Sequence, residues 1–136
     1  MKRKGTAIWK GSGKEGTGVV STQSKILNNT QYSYLSRFEQ GSGTNPEELV
    51  AAAHAGCYAM KLSFVLGEAG FTPDELNVES TVSLEEGSIK TSHLVLKAKV
   101  PGISKDKFEE AANNAKESCP ISKSLTARIS LEATLV

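Results

Sequence analysis

One long stretch of small and apolar residues, with clear signals at both ends, constrains the fold of this chain more than any other feature. Asn45 is a good helix cap, Pro46 suits the first helical position, and Glu48 stands three residues after the cap, as in a capping box. The apolar pattern continues to about Glu68, and Gly70 suits the left-handed position that ends a helix. The sequence therefore predicts a long helix with fixed ends.

The predicted helix is apolar or small around most of its circumference. Between Leu49 and Leu66 the stretch is interrupted mainly by His54, Lys61 and a few small polar residues. A helix of this kind has to be covered on most sides, and a single sheet from one small chain covers only one of them. We therefore expect a second subunit to cover the rest, most simply in a two-fold homodimer.

The remaining elements predict an α+β fold with antiparallel sheets, in a single domain spanning residues 1–136. The expected order is three strands, the long helix, two strands, a more polar helix, a short helical turn and a final strand. Apolar residues alternate in 76–84 and 89–100, so each of these strands is expected to have one buried face. The other predicted strands are 6–10, 17–22, 32–38 and 127–135, the second helix is 105–116, and the helical turn is 120–125.

Charge and hydropathy argue against several classes of partner. Sixteen basic and fifteen acidic residues leave a net charge of +1, and the lysines are scattered, which disfavours a nucleic-acid-binding or membrane-surface patch. The basic start at Met1 is not followed by an apolar secretion signal, and no uninterrupted run of about 18 apolar residues occurs. We therefore expect a cytoplasmic protein with neither nucleic acid nor membrane among its partners.

The chain has two cysteines, and their positions point to redox chemistry. Cys57 lies in the middle of the long helix, and Cys119 directly precedes Pro120. In a reducing compartment two cysteines rarely form a permanent disulfide, but two thiols are the minimum for a cycle in which one sulfur is oxidised and the other resolves it. Inert thiols packed in the core are the alternative, and the cysteine count alone does not decide between the two.

A reactive cysteine needs a nearby cation, because the thiolate is the nucleophile. Cys57 is too far inside its helix to use the positive helix end. The candidates are Arg37, at the end of the predicted third strand, and His54, one helical turn before the cysteine. Arg37 is the better one, since a guanidinium is always charged and can hold a thiolate and a carboxylate together. The alternatives are a solvated strand end for Arg37 and a packed or interface histidine for His54.

Glu47 is the candidate carboxylate for that arginine, because Glu48 is occupied by the helix cap. Glu47 precedes Cys57 by ten residues, or about 15 Å of helix rise, so it does not easily reach the thiol of its own chain. Two such helices packed antiparallel across a two-fold axis would bring the start of one to the middle of the other. The site would then be shared between subunits. The alternative is that Glu47 only complements the helix dipole.

The sequence disfavours a metal or a phosphate-binding site. His54, His93 and the two cysteines are four possible zinc ligands, but the chain lacks a Cys-x-x-Cys pair, which also disfavours thioredoxin-like exchange. The Gly-Ser-Gly stretches at 11–13 and 41–43 read as turns rather than as phosphate loops. We expect no metal and no cofactor.

Five short motifs follow one another along the chain and form a specific combination. They are Arg-Phe-Glu at 37–39, Gly-Thr-Asn-Pro-Glu-Glu-Leu at 43–49, Ala-Ala-His-Ala-Gly-Cys at 52–57, Gly-Glu-Ala-Gly-Phe-Thr-Pro at 67–73 and Cys-Pro-Ile-Ser at 119–122. In this order they closely resemble the osmotically inducible protein C (OsmC) and organic hydroperoxide resistance family. The resemblance runs essentially from end to end and is stronger to the OsmC branch.

The resemblance implies a thiol peroxidase of oxidative or osmotic stress defence, with antiparallel sheets wrapped around central helices in an intertwined homodimer. Carried over residue by residue, Cys57 matches the cysteine that attacks the peroxide and Cys119 the resolving cysteine. Arg37 and Glu47 match the pair that activates the thiolate. The resemblance also implies that no cofactor is bound and that an external dithiol or a lipoylated protein is the reductant.

Organic hydroperoxides are implied to be preferred over hydrogen peroxide, and an apolar funnel beside Cys57, lined by residues such as Phe64 or Tyr58, would account for the preference. Two other interpretations stay open. The first is a non-catalytic stress or ligand-binding dimer with the same fold, whose cysteines are packing residues. The second is a general thiol-disulfide exchanger.

Overall fold

The computed structural model describes residues 1–136 and contains six strands and four helices. The chain divides into two units, Met1–Leu49 and Val50–Val136, and one long helix begins in the first and continues in the second. The prediction that residues 1–136 form a single domain stays a prediction.

The first unit is built on an antiparallel meander of strands β1 (Gly5–Lys10), β2 (Thr17–Thr22) and β3 (Thr30–Tyr32). In the middle strand Gly18 pairs with both Trp9 and Tyr32, whose ring centroids are 5.3 Å apart. A Cβ atom at residue 18 would overlap both rings. The two aromatic side chains therefore meet over the glycine, and the position requires a residue without a side chain.

The predicted third strand ends earlier than expected. It stops at Tyr32, and Tyr34–Phe38 form a short helix, α1, so the prediction of a strand over this segment is wrong. The cause is local capping: Ser33 Oγ accepts from the Ser36 N–H (3.2 Å), while Ser36 Oγ accepts from the Ser33 N–H (2.8 Å). Arg37 consequently lies on a helix and not at the end of a strand.

The first unit contains no buried apolar side chain: all buried hydrophobic residues of the chain lie in the second unit. Ile8, Leu35 and Phe38 are each at least half exposed. A three-stranded sheet needs an apolar face that is covered in order to be stable. The first unit therefore depends on further cover.

The long helix, α2, spans Pro46–Glu68 as predicted. Asn45 Oδ1 accepts from the Glu48 N–H (2.8 Å). The Glu48 carboxylate accepts from the Asn45 side-chain amide, Nδ2 (3.2 Å), whereas in a capping box it would accept from the Asn45 backbone N–H. At the other end Gly70 is left-handed (φ +89°), and the Phe71 N–H donates to the carbonyl five residues back (2.9 Å). Both predicted ends of the helix are confirmed.

The second unit contains a mixed sheet in the order β4 (Glu75–Glu85), β5 (Ser88–Lys99), β6 (Arg128–Leu135). The first pair is an antiparallel hairpin, whereas β6 runs parallel to β5, so the prediction of purely antiparallel sheets is wrong for this strand. Helices α3 (Lys105–Ser118) and α4 (Pro120–Ser124) form the crossover that carries the chain back to the start of β5. A crossover of this length is what a parallel pair requires.

The hydrophobic core lies between one face of this sheet and the helices of the second unit. The predicted alternation in β5 is confirmed, since its even-numbered residues from 92 to 98 are buried and their neighbours are not. The residues buried on the three core elements are His54, Tyr58, Leu62 and Leu66 of α2, Ser92, Leu94, Leu96 and Ala98 of β5, and Phe108, Ala111, Ala112 and Ala115 of α3.

The face of α2 that points away from the core is apolar as well, and it is exposed: Met60 and Phe64 have relative exposures of 66% and 65%. By length and composition α2 could cross a membrane, because an 18-residue window has a mean hydropathy of 1.5, with 22% of that window buried. A helix from the core of a protein that never enters a membrane meets the same criteria. The absence of a membrane partner stays a prediction.

The glycine between Trp9 and Tyr32 gives a stability test. We expect Gly18→Ala to lower the free energy of unfolding by about 1–3 kcal/mol, because the added methyl overpacks the two rings. The matched control is Gly13→Ala, where a Cβ meets nothing within 4 Å. Urea unfolding followed by tryptophan fluorescence measures both. Equal stability of the two variants would contradict the packing described here.

Candidate active site

The two cysteines are 62 residues apart in the chain and lie side by side in the second unit. Cys57 Sγ and Cys119 Sγ are 3.0 Å apart, and both cysteines are free thiols. A disulfide bond is about 2.05 Å long, so oxidation of the two thiols to a disulfide requires the sulfurs to approach by only about 1 Å. Cys57 is partly exposed, whereas Cys119 is completely buried. One thiol is thus accessible from outside, and the second lies behind it.

Cys119 is held at the junction of α3 and α4. Its N–H donates to the Ala115 carbonyl as the last bond of α3 (3.0 Å), and its carbonyl accepts from the Lys123 N–H as the first bond of α4 (3.1 Å). The backbone of Cys119 itself is extended (φ −60°, ψ 127°), as is usual for a residue before proline. Pro120 therefore creates the sharp junction at which the buried thiol is fixed.

The surroundings of Cys57 within the second unit disfavour the thiolate. Burial raises the pKa of the Cys57 thiol, and the adjacent Cys119 raises it further. The Ile121 N–H and the charge of Lys61 lower this pKa, but the net shift is upward. Near neutral pH these groups leave Cys57 mainly protonated, so a reactive thiolate requires an additional positive charge.

Lys61 and the Ile121 N–H are not among the site residues predicted from the sequence, although both carry a signal. Lys61 follows Cys57 by four residues, the spacing that places two side chains on the same helix face. Ile121 follows the Cys119-Pro120 pair at the start of α4, where backbone N–H groups have no helical partner.

An apolar cavity of about 310 Å³ opens beside the exposed thiol. It is lined by Gly56, Cys57, Met60, Lys61, Phe64 and Pro120. Phe64 lines the cavity as predicted, whereas the prediction for Tyr58 is wrong. Tyr58 faces the opposite way: it is fully buried, and its hydroxyl donates to the Ala112 carbonyl (3.1 Å).

His54 is a packed histidine and not the cation of the site. Its side chain is fully buried, with Nδ1 2.6 Å from Ser92 Oγ and Nε2 2.7 Å from Ser122 Oγ. Burial lowers the pKa of His54, so the ring is neutral at pH 7. A neutral ring cannot stabilise a thiolate by its charge. The packed-histidine alternative is therefore confirmed.

Arg37 and Glu47 form an ion pair within the first unit. Arg37 Nε and Nη2 both donate to Glu47 Oε1, at 2.9 and 2.8 Å. The second oxygen, Glu47 Oε2, is buried and has no hydrogen-bond partner. As expected, Glu48 is occupied at the helix start, where it also accepts from Thr44 Oγ1 (2.8 Å). The action of the pair on Cys57 stays a prediction.

The possible zinc ligands do not come together as a group. No cluster of three or more histidine, cysteine, aspartate or glutamate side chains has the geometry to hold a metal ion. His93 Nδ1 lies 2.6 Å from Ser130 Oγ of β6, and its Nε2 lies 3.5 Å from a Glu132 oxygen. The expectation that the protein uses no metal stays a prediction.

Comparisons with known sequences all point to the same family. Residues 39–134 match the profile of the family described as OsmC-like protein. Peroxiredoxin OsmC of Escherichia coli (strain K12) is 44% identical over 139 residues, which cover 99% of this chain and 97% of that protein. The organic hydroperoxide resistance protein OhrB of Bacillus subtilis (strain 168) is 32% identical over 101 residues, which cover 71% of this chain and 73% of that protein.

Solved structures share the fold over the whole chain. The OsmC-like protein from Mycoplasma pneumoniae has a TM-score of 0.75 at 16% identity, covering 100% of this chain and 98% of that chain. OhrB of Bacillus subtilis has a TM-score of 0.67 at 24% identity, with the same coverage. At these identities the likeness shows the fold alone. Together with the matching profile and the Escherichia coli relative, it shows that the chain belongs to the OsmC family and has the mixed α+β fold of OsmC and organic hydroperoxide resistance proteins.

Proposed function

We propose that this protein is a thiol-dependent peroxidase that reduces organic hydroperoxides, and hydrogen peroxide more weakly, in oxidative or osmotic stress defence. Membership of the family of peroxiredoxin OsmC supports the peroxidase activity. The observation that carries the proposal is the pair of sulfurs 3.0 Å apart, one accessible beside an apolar cavity and the other buried.

The proposed cycle uses the two thiols in sequence. The Cys57 thiolate attacks the distal oxygen of the hydroperoxide, so that an S–O bond forms, the O–O bond breaks and the alkoxide leaves as the alcohol after taking a proton. Cys57 is then a sulfenic acid. The Cys119 sulfur attacks the Cys57 sulfur, the S–O bond breaks, and water leaves as the disulfide forms. An external dithiol, free or on a lipoylated protein, returns both cysteines to thiols by disulfide exchange.

The cavity supports a preference for organic substrates. Met60, Phe64 and Pro120 present apolar surface directly beside the accessible thiol. An alkyl or aryl group placed there leaves water, at a gain of about 25 cal/mol for each Å² of apolar surface buried. Hydrogen peroxide has no apolar group and gains nothing from this surface. The cavity therefore favours hydroperoxides that carry a hydrophobic group.

Two exposed surfaces support an intertwined homodimer, in which the sheets of both subunits wrap around the two α2 helices. The first unit has no buried apolar side chain of its own, and α2 leaves Met60 and Phe64 exposed on the face away from the core. A second copy of the chain would cover both surfaces at once, with the cavity beside Cys57 kept between the subunits as the substrate site. In the proposed dimer, each subunit would thus cover apolar surface that is exposed on the other.

In this dimer we place Arg37 and Glu47 of one subunit beside Cys57 of the other. The raised pKa of Cys57 requires a further cation, and a guanidinium already held by a carboxylate supplies one. Glu47 lies about 15 Å of helix rise before Cys57, which makes the thiol of a partner subunit the better target for the pair. The catalytic residues in this proposal are Cys57, Cys119, Arg37 and Glu47.

The remaining expectations complete the proposal. The protein acts in the cytoplasm without a metal or cofactor, and it engages neither nucleic acid nor a membrane. Its partners are a second copy of the chain, the hydroperoxide and the dithiol reductant. The competing interpretation, a non-catalytic dimer that uses the same cavity to bind a ligand, differs from the peroxidase in the fate of the thiols.

Titration with cumene hydroperoxide distinguishes these two interpretations. We expect one equivalent per chain to remove both free thiols, and dithiothreitol to restore them. Cys57→Ser should abolish turnover, because no nucleophile remains, and Cys119→Ser should accumulate a sulfenic acid that a dimedone probe detects by mass spectrometry. Retention of both thiols in the presence of excess hydroperoxide would support the ligand-binding dimer instead.

Mixed dimers test whether the site is shared. Arg37→Met and Cys57→Ser are each expected to be inactive alone, but coexpression should restore about a quarter of the wild-type activity, since half of the dimers are mixed and each has one intact site. The matched control is coexpression of Cys57→Ser with Cys119→Ser, which should stay inactive because both thiols lie in the same chain. No recovery in the first pair would exclude a site shared between subunits.

A variant of Lys61 tests whether the charge of this residue lowers the pKa of the Cys57 thiol. The charge of Lys61 lowers the pKa of Cys57, so Lys61→Met is expected to raise that pKa and to slow alkylation at pH 7. The pH dependence of the rate of alkylation by iodoacetamide gives the pKa directly. The control is Lys123→Met in α4, which removes a lysine that does not act on Cys57. An unchanged titration midpoint in Lys61→Met would show that Lys61 has no effect on the thiolate.

A further inference from the structure

A chain of polar side chains, buried except for the partly buried Ser80, links α2, which carries Cys57, to α4, which follows Cys119. Ser80 Oγ lies 3.1 Å from Ser92 Oγ, Ser92 Oγ lies 2.6 Å from His54 Nδ1, and His54 Nε2 lies 2.7 Å from Ser122 Oγ. His54 stands three residues before Cys57 on α2, and Ser122 stands three residues after Cys119 on α4. The chain therefore connects strands β4 and β5, α2 and α4 close to the two sulfurs.

The bond between Ser122 and His54 is the one hydrogen bond that a side chain of α4 makes outside this helix. The other side-chain bond of this helix, from Ser124 Oγ to the Pro120 carbonyl (2.7 Å), stays within it. A helix of five residues is too short to be stable alone, so its position depends on contacts with the rest of the protein. Ser122 is also the buried residue of α4. The orientation of α4, and with it of Cys119, thus rests on this contact, on the Ile121 N–H at the Cys57 thiol and on apolar packing.

The His54 ring is held in place by a hydrogen bond at each of its two nitrogens. Its ring is fully buried, and both of its nitrogens have a partner. Burial lowers its pKa, so the ring stays neutral, with one nitrogen that donates and one that accepts. Ser92, which lies in the middle strand of the sheet, holds the second nitrogen. A neutral ring held from both sides has one orientation.

We propose that His54 is a positioning residue that acts through Ser122 to hold the Cys119 thiol within reach of the Cys57 sulfur. This inference rests on the proposed function, because the disulfide that it concerns is a step of the proposed cycle. When Cys57 has become a sulfenic acid, the Cys119 sulfur attacks the Cys57 sulfur, and water leaves. A Cys119 thiol that is held less firmly meets the sulfenic acid less often. A second hydroperoxide then oxidises the sulfenic acid to a sulfinic acid and is itself reduced to the alcohol, which ends the cycle.

The test measures disulfide closure without any peroxide. Excess 5,5′-dithiobis(2-nitrobenzoate) reacts first with the exposed Cys57 thiolate, which releases one thionitrobenzoate and leaves a mixed disulfide. Cys119 then attacks the Cys57 sulfur and releases the second thionitrobenzoate. The two releases are followed at the absorbance of thionitrobenzoate. The first reports the reactivity of Cys57, and the second reports how well Cys119 is positioned.

Ser122→Ala is the decisive variant, because it removes the link to α4 and adds no volume. We expect the second release to slow about five- to tenfold and the first to stay unchanged, as follows from the loss of one hydrogen bond of ordinary net strength. His54→Leu should slow the second release at least as much. That change leaves the buried Ser122 hydroxyl without its partner and leaves Ser92 bonded to Ser80 alone, so the variant risks misfolding. Ser122→Ala, which keeps the histidine, therefore keeps the test valid.

Two controls separate positioning from general stability. Ser80→Ala removes a hydroxyl from the same polar chain but leaves both bonds of His54 in place. Ile103→Val removes a methyl group next to the core, where it lowers stability by about 0.5–1.5 kcal/mol without touching the polar chain. Both controls should close the disulfide at the wild-type rate. An unchanged second release in Ser122→Ala, or equal slowing in Ile103→Val, would overturn the inference.

Consumption of cumene hydroperoxide, measured in parallel on the wild-type protein, separates this inference from the proposed function. Slower closure in Ser122→Ala together with no consumption by the wild type would leave the positioning role intact and refute the peroxidase. Consumption by the wild type together with normal closure in Ser122→Ala would refute the positioning role alone.

Discussion

The burial of one face of α2 against the mixed sheet and α3 sets the positions of both thiols. His54, Tyr58, Leu62 and Leu66 occupy that face at intervals of four residues, so the rotation of the helix about its axis is fixed by a row of buried side chains. Cys57 lies beside this row, is partly exposed, and has the Ile121 N–H from the start of α4 at its thiol. Cys119 lies at the junction where Pro120 separates α3 from α4, with its sulfur 3.0 Å from that of Cys57. The contact between the sulfurs follows from this packing.

The same packing leaves the accessible thiol short of positive charge. Taking a thiol out of water disfavours its charged form, and neither the Ile121 N–H nor Lys61 outweighs this effect. Arg37 carries a positive charge, and its partner Glu47 keeps one buried oxygen, Oε2, without a hydrogen-bond partner. In the homodimer proposed above, a second copy of the chain would supply the missing charge and would cover the exposed surfaces of the first unit and of α2.

Local signals predicted the elements well where the determinants are short-range. The ends of α2 were predictable because Asn45, Pro46 and Gly70 act on backbone groups a few residues away. The serine pair that turns 34–38 into a helix is equally local, but its capping signal competes with a strand-like pattern of aromatic residues. The parallel direction of β6 is not local at all. It depends on the path of α3 and α4 over the sheet, although a helical crossover between the last two strands is itself a signal for a parallel pair.

For the candidate site, the sequence by itself determined the chemical groups, which are two thiols, the arginine Arg37 and a carboxylate that does not cap the helix, and its family resemblance implied a role for each of them. Only the tertiary structure decided which groups meet. It brought the sulfurs to 3.0 Å, paired Arg37 with Glu47, and held His54 neutral between two serines. It also turned Tyr58 into the core instead of the cavity. The physical reason is that residue type sets what a side chain can do, whereas distance, burial and therefore charge state depend on packing between residues that are far apart in the chain.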